Sequence, residues 1–462
     1  MAHSGGWGRR HFLATAGRTL AISALAPAAG CRPAPPAPSE PPRLRVELPL
    51  GELLTARALL ESAVRDHAKR RGYVVDLSFA APEDLPSRYP PGGEAMPDVA
   101  VAGTLGPARL FWGVSLLDVT EAAERMARRN GEMPPALRRA LTFDKKLWAI
   151  PFYGRAWAWL LRQDLLDARG IAAPNTLAEA LEAAAKLADP PRGLAGWSLP
   201  LVSSREGESL VHQVILDYGG SLADQAGQRV VLASPETVEA IGFLASLVRS
   251  PAARASLPSG RQAWSAPARQ AEFLAGRVGM APVSAELYSR IVQEKTFPRK
   301  ALRAISPPGG PKRRTTSAEG RHFVVAAATK RPDLCLDLVA ELLSPARLRE
   351  FMVAADGAAV PAYADLTSDP FWDADPLRPA FATNVRGDSS RQLELVEYGF
   401  PGPGSAGAAE VAAQLVLSGT LARCAEDLMA PDLAVREGHQ RAQLIYESVA
   451  RTMASIRRKA GR

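Results

Sequence analysis

The sequence predicts an α/β fold divided into two lobes, and three observations lead to that reading. The chain has 462 residues, too many for one typical core and enough for two lobes with extensions. From Arg43 onward, strand-like and helix-like segments alternate, which implies crossover units and a mainly parallel sheet. A second alternating set starts at Trp157. An apolar fraction of 47% and a charged fraction of 23% are ordinary for a soluble globular chain and exclude disorder as the main state.

The chain opens with an address. Arg9-Arg10-His11-Phe12-Leu13 precedes a short apolar stretch at 20–26, and small residues then lead to Ala28-Ala29-Gly30-Cys31. A charged start, an apolar centre and small residues before a cut site form an export signal. The apolar stretch is far shorter than the roughly 20 residues a membrane span needs. The paired arginines resemble a twin-arginine signal, and small residues before a lone Cys resemble a lipoprotein signal. Residues 1–31 are therefore read as export signal, with Cys31 as the lipidation site that anchors the protein to the membrane. Residues 32–42 carry six prolines and read as an extended linker.

The folded part follows in order. Residues 44–48 alternate as a strand, 53–69 have helical apolar spacing, and 73–79 form a second strand. Residues 98–102 are short and apolar, as in a buried parallel strand. Residues 157–161 read as another strand, and 177–187 as a helix opened by Pro174-Asn175-Thr176. Ser234 caps a helix that has Pro235 at its first position and runs to Val248. A short helix at 270–275 precedes the Gly276 turn, a strand is predicted at 323–328, and a helix at 332–343. The tail reads as helix at 408–421 and again at 434–456. Pro/Gly-rich residues 306–311 are either a crossing between lobes or a surface loop.

Charge and motifs exclude several functions. The formal net charge is +8, but there is no long Lys/Arg stripe with interleaved aromatics, so nucleic-acid binding is not supported. Cys335 and Cys424 pair with each other or stand as small buried thiols, and apolar helical surroundings favour the thiol at Cys335. The six His show no metal-like spacing and there is no CxxC pair, so neither a metal nor a cofactor is expected. The chain has no G-x-S-x-G elbow, no P-loop and no H-E-x-x-H, so it is not read as an enzyme.

Eight short stretches, in order over residues 43–365, carry a family resemblance. They include Met96-Pro97-Asp98-Val99, residues 145–152, residues 164–181, Tyr218-Gly219-Gly220, residues 231–236, residues 273–280, Pro307-Pro308-Gly309-Gly310 and Val360-Pro361-Ala362. This set resembles the bacterial extracellular solute-binding proteins of the sugar-binding type, related to maltose-binding protein. The resemblance implies a two-lobed periplasmic-binding-protein fold with a hinge and an interlobe cleft. It also implies a monomer that captures a small solute, most often a sugar, for the permease subunits of an ABC importer. A sensor-associated binding protein is a rival reading. One division of the chain puts 43–156 with 304–354 in an N-terminal lobe and 157–303 with 355–462 in a C-terminal lobe.

Sugar sites need flat apolar platforms and hydrogen-bonding groups. Tyr153, Trp157 and Trp159 near the first crossing are the expected platform, and period-two spacing puts both tryptophans on one face. Thr104 follows the 98–102 strand at the carboxyl end, where open α/β sheets bind ligands. Glu208 and Ser209 precede an apolar helical stretch and offer polar contacts. The resemblance places Ser284 and Glu286 toward the cleft. Trp264 and Trp372 are lid platforms or surface anchors. Arg155 and Arg321 suit a carboxylate or phosphate better than neutral hydroxyls, which keeps an anionic solute such as a sugar phosphate or uronic acid open; a polyamine is the cationic alternative.

Overall fold

The computed structural model describes residues 40–50, 54–90, 94–111 and 115–459. The expected export signal, Cys31 and nearly all of the linker lie outside them. The compact unit spans Pro42–Arg462.

Along the chain the elements are β1 (Arg43–Pro49), α1 (Leu54–Arg71), β2 (Val74–Ala80), β3 (Val99–Gly103), α2 (Gly106–Phe111), β4 (Ile150–Arg155) and β5 (Trp157–Arg162). Then come α3 (Leu177–Leu187), β6 (Ala195–Trp197), α4 (Arg205–Asp217), α5 (Pro235–Arg249), β7 (Val278–Ser284) and β8 (Leu302–Ile305). The remainder includes β9 (Arg314–Thr316), β10 (Glu319–Val325), α6 (Pro332–Leu342), α7 (Pro345–Ala354), β11 (Ala359–Pro361), β12 (Leu393–Leu395), α8 (Ala406–Ala413), α9 (Val416–Ala425) and α10 (Pro431–Lys459).

Two sheets organise the fold. The six-stranded sheet has the order β11-β4-β10-β3-β1-β2 and the four-stranded sheet the order β8-β5-β7-β6. The expectation of a mainly parallel sheet holds within the first sheet for β2-β1-β3, and the second sheet has one parallel pair, β6 with β7. Strands β10, β4 and β11 all pair antiparallel with their neighbours. Every residue of β3 is buried, as expected for a central strand covered on both faces.

The local signals explain the helices. Thr176 accepts a hydrogen bond from Glu179 N, and the Glu179 carboxylate accepts from Asn175 N at 2.8 Å, so cap and third helical residue satisfy amides reciprocally at the start of α3. Ser234 caps α5 through Thr237 N, with Pro235 at the first position. The short helix expected at 270–275 begins earlier, at Ala266, and ends at Leu274. The single helix expected at 408–421 is two, α8 and α9, because Leu415 takes a φ of 55° and turns the chain between them.

One core lies under the first sheet, where α1, α6 and α7 pack, and a second joins β5, α3, α4, α5 and α8 to α10. Cys335 belongs to the first core and Cys424 to the second, so each is a free buried thiol and the two do not pair. A third cluster runs between, with Ala156, Val283, Met352, Val360 and Phe381.

The chain passes between the sheets in three places. β4 continues into β5 through Ala156, and β8 leads through 306–318 to β10. The third passage includes β12, which pairs in parallel with β9. The expected division puts 304–354 in the N-terminal lobe and 355–462 in the C-terminal one; the sheet partners of two segments differ from it. Ala304 and Ile305 belong to β8 in the second sheet, and Ala359–Pro361 pairs with β4 in the first. A three-residue strand is too short to show a period, so its sheet was not legible in the sequence.

Candidate functional site

A cavity of about 660 Å³ opens between the two sheets. The crossing segments form its floor: Arg155 ends β4, Trp157 begins β5, Ser317 and Glu319 sit at the start of β10, and Glu397 and Tyr398 follow β12. The first-sheet wall is the turn at Glu83 and Asp84 and the β3–α2 turn at Thr104. The opposite wall is α4, which contributes Glu206, Glu208, Ser209, His212 and Gln213, together with Arg269 and the end of β7 at Ser284.

Hydrogen bonds fix these parts against one another. Trp157 Nε1 donates to the Ser317 carbonyl at 2.7 Å, and Ser317 Oγ lies 3.1 Å from Ser209 Oγ. Thr104 Oγ1 accepts from Gly320 N at 2.8 Å. Asp217 at the end of α4 accepts from both the amide and the hydroxyl of Thr315 at 2.8 Å, and Gln213 Nε2 donates to the Thr315 carbonyl. Helix α4 therefore holds the β9 crossing in place. Ser204 positions this helix by capping it through Gly207 N at 3.0 Å.

Of the residues expected to bind a ligand, Thr104, Arg155, Trp157, Glu208, Ser209, Ser284 and Arg321 line the cavity. Trp159 also lines it, next to Trp157 on one face of β5. The others stand elsewhere. Tyr153 is 1% exposed in the first core, packed on Phe152 and Phe351, where β4 and β10 pair with a register shift. Trp264 is buried in the second core and donates to the Pro258 carbonyl. Trp372 is buried in the third cluster and donates to the Leu366 carbonyl. Both are anchors of loops and not lids. Glu286 is not a cavity-lining residue but the partner of Arg155, at 2.9 Å.

The arginines are committed. Arg155 pairs with Glu286 and, at 3.2 Å, with Glu319. Arg321 is buried and pairs with Glu83 at 2.7 Å. Arg269 pairs with Glu206, and Arg109 in α2 pairs with Glu410 in α8 at 3.1 Å. Arg205 at the start of α4 reaches Asp84 at 3.4 Å. An anion entering the cavity would compete with carboxylates for each of them. Two of these pairs, Arg109–Glu410 and Arg205–Asp84, join elements of the two walls.

Among the described residues, three acids of the cavity form no ion pair. Glu208 is buried and accepts from Leu417 N and from the amide and hydroxyl of Ser418, so it caps α9; burial still pushes its carboxyl up to about 7. Asp217 is raised well above the usual range by burial, despite its bonds to Thr315. Burial pushes Glu397 up to about 8.

Sequence reasoning missed an aromatic stack. The Tyr398 ring lies 4.5 Å from the His212 ring at 18°, with Ser209 beside the Tyr398 hydroxyl. Burial holds His212 neutral, lowering it to about 4. The alternation of Leu393, Glu394 and Leu395 just before Tyr398 was the available signal for a crossing strand ending at the cavity. Among the described residues no group of acids, His and Cys is arranged to hold a metal ion.

The arrangement is that of a two-lobed binding protein, with a cavity of small-molecule size floored by inter-sheet strands. The chain belongs to the bacterial extracellular solute-binding protein family, whose model matches residues 91–380. No curated protein matches the chain. Among solved structures it is similar to the cyclic α-maltosyl-1,6-maltose binding protein of Arthrobacter globiformis, at 14% identity and a TM-score of 0.70, covering 88% of this chain and 100% of that one. A maltose-bound T. maritima protein gives 18% and 0.69, covering 87% and 99%. The GacH receptor of Streptomyces glaucescens, solved without ligand and with acarbose, gives 16% and 0.68, covering 88% and 99%. The fold is the one that sugar-binding proteins of ABC transporters use. Among the described residues no helix is long and apolar enough to cross a membrane.

Proposed function

We propose that this protein captures a carbohydrate outside the cytoplasm and delivers it to the permease of an ABC transporter, without converting it. The observation that carries the reading is the pairing of the Trp157 and Tyr398 rings with hydroxyl and carboxyl groups in one cavity between the sheets. Sugar rings present C–H faces to aromatic rings and hydroxyls to paired donors and acceptors. Similar solved structures hold maltose, laminaribiose and ribitol, which fits a hydroxyl-rich ligand here.

In this reading one lobe holds residues 43–155 with 319–363, and the other holds β5 to β8 with the C-terminal helices. The lobes close about the three crossings when ligand makes contacts available only in the closed form. Cys31 carries the lipid that tethers the monomer, a twin-arginine signal directs export, and the Pro-rich stretch is the tether's stalk. The committed arginines argue against sugar phosphates and uronic acids.

A thermal-shift screen tests the reading, using mono- and oligosaccharides, sugar phosphates, uronic acids and polyamines. A ligand at 100 times its Kd stabilises the folded state by about 2.7 kcal/mol, which is visible as a raised Tm. Hits among saccharides support the proposal. Hits confined to phosphates, uronates or polyamines, or no hit at all, overturn it.

A further inference from the structure

The cavity is acidic in a basic protein. The chain carries a formal charge of +8, yet the cavity wall holds more carboxylates than arginines. Each arginine in the wall is already neutralised by an acid within ion-pair distance. What remains are three carboxyl groups: Glu208 and Asp217, which are hydrogen bonded to backbone and hydroxyl groups, and Glu397.

Glu397 differs from the other two. It is 7% exposed, lines the cavity, and among the described residues its side chain makes no hydrogen bond and no ion pair. On the cavity side Glu397 and Glu208 both lie near enough to Tyr398 for their charges to act on its hydroxyl. Behind Glu397, Tyr153, His322 and Arg386 line a smaller void of about 20 Å³ with it. Arg386 donates to the Tyr363 carbonyl at 3.1 Å and forms no ion pair with Glu397. His322 is buried and held neutral. A desolvated carboxyl without a partner is costly unless a ligand supplies one. An aromatic face beside a carboxylate is also where a cation is favoured over a neutral group.

We propose that the ligand is a saccharide bearing a basic amine, and that Glu397 is the counter-charge for its ammonium group. This rests on the saccharide reading above. The proposal accounts for both the excess of acid in the wall and a wall carboxyl that, among the described residues, has neither hydrogen bond nor ion pair.

The test is calorimetric titration of the full chain at pH 7 with matched pairs: glucosamine and glucose, galactosamine and galactose, the chitosan disaccharide and cellobiose. The amine member of at least one pair is expected to bind about tenfold tighter or better. Because burial pushes Glu397 up to about 8, binding the ammonium releases a proton, read from the buffer dependence of the heat; a hydroxyl ligand releases none. Glu397→Gln, checked for folding by its melting curve, is expected to abolish the preference of the amine member over its hydroxyl partner. Equal or tighter binding of the hydroxyl members, or a preference that survives in Glu397→Gln, overturns the charge assignment and leaves the saccharide reading standing. Failure of every member of every pair overturns the amine assignment, while the thermal-shift screen decides the saccharide reading.

Discussion

Glu208 and Ser418 meet across the second core: one carboxylate oxygen of Glu208 accepts from Ser418 N at 2.7 Å and from Ser418 Oγ at 2.8 Å, while the other accepts from Leu417 N. A cavity-wall residue of α4 thus caps α9, and the wall and the C-terminal helices are one unit. Glu208→Ala leaves buried amides unpaired and is expected to cost about 2–3 kcal/mol, measured by urea unfolding at neutral pH. A change below about 0.5 kcal/mol would mean that the cap is not used.

Stability should have a broad maximum on the acid side of neutrality. Glu208 and Glu397 are raised from the usual 4.5 to about 7 and about 8, so their contribution is full below about pH 4.5 and is lost as pH rises through those values. His212 and His322 are lowered from 6.5 to about 4 and about 3, so their contribution is full above about pH 6.5 and is lost as pH falls through those values. Between about pH 4.5 and 6.5 the two trends oppose each other, and outside that window stability falls by about 1.4 kcal/mol per pH unit for each group titrating. Denaturant midpoints from pH 4 to 9 measure this. Glu397→Gln should flatten the alkaline limb, and an unchanged limb contradicts the burial of that carboxyl.

The aromatic floor should dominate affinity. Trp157→Ala and Tyr398→Ala are each expected to weaken binding by about 10- to 100-fold. Trp157→Phe should lose less, because it keeps the ring and gives up only the bond to the Ser317 carbonyl. Titration calorimetry with the best ligand from the screen separates these cases.

The two ion pairs between the walls should differ. Arg205 and Asp84 are more than half exposed, so Arg205→Ala should change affinity by less than about 1 kcal/mol and less still in high salt. Arg109 and Glu410 are each about one-fifth exposed. Arg109→Ala should accelerate ligand release more than Arg205→Ala does, measured by stopped-flow displacement.

The sequence made much of the fold legible and less of the site. Helices with a cap and a clear period, such as those opened by Thr176 and Ser234, stand where their residues put them. The division of the tail helix depended on one left-handed residue, Leu415, which no period reveals. Trp157 and Arg155 reach the cavity because they flank the crossing at Ala156. Tyr153, only two residues before Arg155, is turned into the core. Aromatic residues such as Trp264 and Trp372 look the same in sequence whether they are exposed platforms or buried anchors. Tyr398 and Glu397 became visible only when β12 was paired with β9, a contact between segments far apart in the chain. The pairing of each cavity arginine with an acid is likewise tertiary and has no local signature.

The most direct test of the account is calorimetric titration of the native chain and a Trp157→Ala/Tyr398→Ala double variant with saccharides that raise the native Tm. The account predicts one site per chain with measurable heat in the native protein and loss of binding by at least about 100-fold in the folded double variant. Saccharide binding that is unaffected in the double variant would place the ligand outside this cavity and contradict the account.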